Sequence, residues 1–81
     1  MMTGNQIRAA RSLIGWSQAQ VAEKANLSIP TVKRAEGQGA VIASPDSIAA
    51  IRAALEGAGV EFIAENGGGA GVRLSKGSSD E

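Results

Sequence analysis

Residues 17–36 read Ser17-Gln18-Ala19-Gln20-Val21-Ala22-Glu23-Lys24-Ala25-Asn26-Leu27-Ser28-Ile29-Pro30-Thr31-Val32-Lys33-Arg34-Ala35-Glu36, and their punctuation predicts a helix, a tight turn and a second helix. Ser17 is placed to cap the first helix. Gln20, three residues on, completes a capping-box spacing in which each side chain serves the other residue's backbone N–H. Val21, Ala22 and Ala25 fall on one face at helical period. Asn26 stops the helix, because Asn tolerates the left-handed backbone of a sharp turn better than any residue but Gly. Leu27 can then drop into the crevice between the helices. Ser28 caps the next helix, and Pro30 lies in its first turn, where a missing N–H matters least. Val32 and Ala35 face inward; Lys33 and Arg34 face outward.

Working outward toward the N-terminus, Thr3 and Gln6 repeat the capping-box spacing and open a further helix. Ile7, Ala10, Leu13 and Ile14 form its apolar stripe, with Arg8 and Arg11 nearby. Gly15 suits a left-handed cap. Trp16, the sole Trp, is either a stacking platform for a base or an anchor between this helix and the body of the domain.

Toward the C-terminus, Gly37-Gln38-Gly39 is a loop, either a phosphate-approaching one or a plain connector. Ser44-Pro45-Asp46 opens a fourth helix with a cap, a first-turn Pro and an acid at the positive helix end. Ile48, Ile51, Leu55 and Ala58 make its inward stripe, and Gly57 and Gly59 end it. The period then changes. Val60-Glu61-Phe62-Ile63-Ala64 reads as a strand, Asn66-Gly67-Gly68-Gly69 as a turn, and Gly71-Val72-Arg73-Leu74-Ser75 as a second strand. Val60, Phe62, Val72 and Leu74 can share one face, with Glu61 and Arg73 on the other. An isolated hairpin is marginal in water. These four residues are therefore expected either to join a twin subunit in a two-fold homodimer or to cover helix 4 of their own chain. The expected layout is helices at about 3–14, 17–25, 28–36 and 45–57 in a domain spanning 1–59, a hairpin at 60–75 and a disordered tail at 76–81.

Eighty-one residues suit one small domain with a thin core. There is no Cys and no His, which removes disulfide staples and most metal sites. No cofactor or metal is expected, and nothing assembles a catalytic constellation. The Gly67-Gly68-Gly69-Ala70-Gly71 run lacks the Lys-Ser/Thr of a phosphate loop and the following helix of a dinucleotide fold. No apolar run is long enough for a membrane span, and no signal peptide is visible, so a cytoplasmic protein without a membrane partner is expected. Net charge is zero, yet unevenly spread. Residues 1–40 hold Arg8, Arg11, Lys24, Lys33 and Arg34 against Glu23 and Glu36; residues 41–81 hold Arg52, Arg73 and Lys76 against Asp46, Glu56, Glu61, Glu65, Asp80 and Glu81. The positive half is the half that carries residues 17–36.

The helix-turn-helix segment resembles the Cro and lambda-repressor-like (XRE-like) family of small transcription regulators. The matching positions are Gln18, Val21, Ala22, Asn26, Leu27, Ser28, Thr31, Val32 and Glu36, in register over about the first two-thirds of the chain. Asn26 replaces the commoner Gly, Ala35 a larger aliphatic residue, and Ile29 and Pro30 the polar base readers of many relatives. The resemblance implies a mainly α fold: a four-helix lambda-repressor-like DNA-binding domain, here followed by a β-hairpin. It implies Gln18 on a phosphate, Ser28 and Thr31 on phosphates, Gln38 near another, and a structural ion pair between Arg11 and Glu36.

In such a motif the second helix crosses the DNA backbone and the third enters the major groove. Ile29, Pro30, Lys33 and Arg34 would then read sequence, Arg34 by gripping a guanine and Ile29 and Pro30 by touching thymine methyl groups. The expected function is a sequence-specific double-stranded DNA-binding regulator, a repressor acting as a homodimer on an inverted repeat. The rival expectation is a protein-binding helix-turn-helix module, an antiactivator or antitoxin-like partner of another regulatory protein, for which Ile29 and Pro30 form an apolar tip.

Overall fold

The computed structural model describes residues 4–37, 43–64 and 67–75. Thr3, Gln38, Gly39, Asn66 and the tail at 76–81 lie outside the described residues. The elements are α1 (Gly4–Ile14), α2 (Gln18–Ala25), α3 (Ile29–Ala35), α4 (Pro45–Gly57), β1 (Val60–Ile63) and β2 (Gly71–Leu74). The protein is thus mainly helical, with a two-stranded antiparallel hairpin at the C-terminal end.

Local chemistry sets the helix ends. Ser17 Oγ accepts the Gln20 N–H at 3.1 Å, and Gln20 Oε1 accepts the Ser17 N–H at 2.8 Å. Each N-terminal cap of this kind stabilises by about 1 kcal/mol. Asn26 takes φ 59°, the left-handed region. The Leu27 N–H then reaches the Ala22 carbonyl at 2.8 Å and the Asn26 N–H the Glu23 carbonyl at 3.3 Å, the paired closure of a Schellman turn. Gly15, at φ 70°, closes α1 in the same way, with the Trp16 N–H on the Arg11 carbonyl at 3.0 Å. Ser28 and Ser44 accept the N–H groups of Thr31 and Ser47 and so begin α3 and α4.

The core joins Ile7 and Ala10 of α1, Val21 and Ala22 of α2, Val32 and Ala35 of α3, Ile51 and Leu55 of α4, and Val60 of β1. Ile14, Trp16, Leu27, Ile48, Phe62 and Val72 pack around it, half-buried. Trp16 is therefore an anchor on the core. Leu13, expected on the α1 stripe, is 43% exposed. It stands two turns beyond Gln6 on the same side of α1. The hairpin is fastened to α1 at Gln6, two turns away, and Leu13 is left uncovered.

In the hairpin Val60 faces Leu74, Glu61 faces Arg73, Phe62 faces Val72 and Ile63 faces Gly71. The Ser75 N–H closes its base on the Gly59 carbonyl at 2.7 Å. At the turn end the Gln6 side-chain amide donates to the Gly71 carbonyl at 2.9 Å and the Ile63 carbonyl at 3.2 Å. Val60, Phe62 and Val72, candidates for a partner subunit, turn to their own chain: Val60 is 1% exposed and the other two pack on the core. A ribbon this short needs cover for its apolar face, and α1 and α4 supply it. Leu74 alone of the four stays 51% exposed.

On the outer face Arg73 grips Glu61 with two N–H groups, Nε to Oε1 at 3.0 Å and Nη2 to Oε2 at 3.1 Å. The hydrogen bonds from Arg73, and then its charge, hold the Glu61 carboxyl below its ordinary pKa. Arg52 of α4 lies over the Phe62 ring, 5.7 Å from its centroid, and bonds Glu56 one turn along. No helix among the described residues is long and apolar enough to cross a membrane.

Candidate nucleic-acid interface

The short helix α3 has two unlike sides. Val32 and Ala35 are buried, while Ile29, Pro30, Lys33 and Arg34 are exposed. Residues three and four apart on a helix are neighbours, so these four form one outward patch. Beside it Ser28 Oγ and Thr31 Oγ1 share a hydrogen bond at 2.8 Å, and Arg34 Nη1 donates to Thr31 Oγ1 at 3.4 Å. The patch thus holds two cations, two hydroxyls and an apolar tip, with Ile29 41% exposed. Its chemistry fits a polyanion whose grooves also offer apolar methyl groups.

Behind α3 stands a different kind of site. Glu36 is 1% exposed and carries a carboxylate, which needs partners to stay charged in such surroundings. Arg11 of α1 supplies two N–H groups, Nε to Oε2 at 2.6 Å and Nη2 to Oε1 at 3.1 Å. Gln18, the first residue of α2, donates its amide to Oε1 at 2.9 Å. Arg11 is itself steadied through Nη1 on the Trp16 carbonyl at 3.1 Å. The acid at the end of α3 is therefore turned inward and matched by Arg11, and it adds no exposed negative charge beside Lys33 and Arg34.

The backbone of Glu36 is held as well. Arg8 donates to its carbonyl and also to Asn5 Oδ1. Gly4 comes so close that a Cβ there would lie 2.7 Å from the Glu36 carbonyl carbon. One residue thus gathers α1, α2 and α3.

Of the sequence-derived candidates, the structure brings Ser28, Ile29, Pro30, Thr31, Lys33 and Arg34 onto one surface. It brings Gln18 to the Arg11–Glu36 pair, and it leaves Gln38 outside the described residues. Sequence reasoning missed Gly4 and Gln6 as fastenings and Glu36 as the partner of Gln18. Arg8, which its place beside the α1 stripe leaves without a role, bonds the carbonyl at the end of α3. The one available signal was Gly4 itself, whose missing side chain permits close approach without saying to what. Among the described residues no group of three or more His, Cys, Asp or Glu is placed to hold a metal ion. Comparison with models of protein families and with curated proteins gives no match to this chain.

Proposed function

We propose that this protein is a sequence-specific double-stranded DNA-binding transcription regulator of the Cro and lambda-repressor-like kind, a repressor that acts as a homodimer on an inverted-repeat operator. The observation that carries this reading is the outward patch of α3, with Lys33 and Arg34 exposed beside the Ser28–Thr31 hydroxyl pair and braced from behind by Glu36. Lys33 and Arg34 supply the charge that attracts phosphates and, for Arg34, the fork that fits a guanine edge. Gln18 at the start of α2 meets the flanking phosphate.

Two copies set one helical turn apart provide affinity that one small domain lacks. The hairpin offers Leu74 and the outer strand edges for that pairing. The Ser75–Gly59 bond fixes the ladder's alternation, so the backbone groups of Val72 and Leu74 point outward from β2. Deleting the hairpin is a poor test of the dimer, because Val60 belongs to the core. Leu74→Glu is the cleaner variant, and sedimentation should show the dimer weakened.

Selection of bound duplexes from a random pool, followed by a salt titration, tests the main reading. Binding should fall steeply with salt, and Lys33→Ala with Arg34→Ala should weaken it and make the salt dependence shallower by about two charges. Unchanged binding in that double variant removes α3 from the interface. The exposed Ile29-Pro30 tip favours a second reading, a protein-binding module; a chain that retains no duplex but captures a regulator through that tip would support it.

A further inference from the structure

Gln18 carries an ambiguity that its neighbours resolve. A glutamine amide has a donating NH2 end and an accepting oxygen, and a half-turn exchanges them. A phosphate oxygen only accepts, so a Gln serves a phosphate only when its donor end is presented. In this chain Glu36 Oε1 takes a hydrogen bond from Gln18 Nε2 at 2.9 Å. A carboxylate also only accepts. Turning the amide over would set two oxygens against each other beside a buried charge. The carboxylate cannot itself swing away, because Arg11 holds both of its oxygens and Arg11 is fastened to the Trp16 carbonyl.

We infer that Glu36 is a positioning residue for nucleic-acid binding: buried and never touching the ligand, it fixes the plane and polarity of the Gln18 amide at the start of α2. This inference rests on the DNA reading above. It assigns Glu36 a role distinct from joining α1 to α3, since Arg11 alone would meet that need. The order runs outward from the Trp16 carbonyl through Arg11 and Glu36 to Gln18, so a fixed interior sets the posture of a half-buried contact residue.

The test is a double-mutant cycle on duplex affinity with Gln18→Ala, Glu36→Gln and both together, using a duplex recovered from the random pool. Each single change should weaken binding by about tenfold, and the pair by no more than either alone, because both remove the same oriented contact. The slope of affinity against salt should stay that of the wild type, since a neutral amide releases no counterion. Losses that multiply, or a shallower slope showing that Lys33 and Arg34 have moved, overturn the inference. A wild-type chain that binds no duplex overturns the DNA reading and this inference with it, whereas multiplying losses in a chain that binds overturn the inference alone. If Glu36→Gln fails to fold, the Gln18 side-chain amide of the wild type is read by NMR. Exchange of a Gln18 NH2 proton with water much slower than that of an exposed Gln amide supports the lock, and free-amide exchange of both protons overturns it.

Discussion

The chain makes the same bidentate Arg–Glu grip twice, in opposite surroundings. Arg11 and Glu36 meet beneath three helices, with Glu36 1% exposed; Arg73 and Glu61 meet on the open face of the hairpin, with side chains 64% and 48% exposed. The bonding pattern is alike and the consequences are not. On the hairpin water competes for both charges, and holding two long side chains in one pose offsets much of the attraction. Beneath the helices, loss of Arg11 strands a sealed carboxylate, and loss of Glu36 leaves a guanidinium whose side chain is only 20% exposed. Geometry alone does not rank these pairs; what surrounds them does.

The hardest test of that contrast is Glu36→Ala. It should cost about 3–5 kcal/mol, because Arg11 and the Gln18 amide lose their acceptor together. That is a large share of the roughly 5–15 kcal/mol that holds a small domain folded, and urea unfolding would measure it. A loss under about 1 kcal/mol would mean that water reaches Arg11 freely. Next comes Gly4→Ala. Helix propensity favours Ala, yet the added methyl meets the Glu36 backbone at 2.7 Å, so a loss of about 1–3 kcal/mol is expected from thermal melting. An increase in melting temperature would show that α1 can slide away from Glu36.

Gln6→Ala leaves the Ile63 and Gly71 carbonyls without their side-chain donor. It should cost about 1–2 kcal/mol, and amide hydrogen exchange should speed up in β1 and β2 more than in α2. Uniform acceleration through all elements would show that the hairpin and helices open as one unit. The smallest effect belongs to Glu61→Gln, which should lower the melting temperature only slightly at neutral pH, because the pair is exposed. Its pH dependence has a definite sign. Arg73 lowers the Glu61 pKa from 4.5, so the pair's contribution is present above about pH 4.5 and is lost as pH falls through the lowered value. An acid titration in which Glu61→Gln and the wild type lose stability in parallel below pH 4.5 would show that the pair contributes nothing.

The sequence made the local half of this picture readable. Ser17, Gln20, Asn26, Ser28 and Ser44 act within a few residues of where they stand, and the inward stripe of α4 needs only its own period. The distant fastenings were hidden. Gln6 meets a carbonyl sixty-five positions away, and nothing in its neighbourhood tells a clamp from a cap. Gly4 reads as a flexible residue until the end of α3 is set against it. The fate of Val60, Phe62 and Val72 turned on how much cover α1 and α4 provide, a property of shape that alternation cannot express. In the candidate interface the residue types of α3 were legible, whereas the link from Gln18 to Glu36 depends on the relative placement of two helices.

The left-handed backbone at Asn26 limits how this chain can diversify. Every side chain branched at Cβ clashes at φ 59°, so a library randomised there and sorted for folded protein should return Asn, Gly and a little Asp. The neighbouring Ile29 and Pro30 face solvent and carry no such restriction. Ligand preference can therefore drift from one lineage to the next while a single torsion a few residues upstream stays frozen.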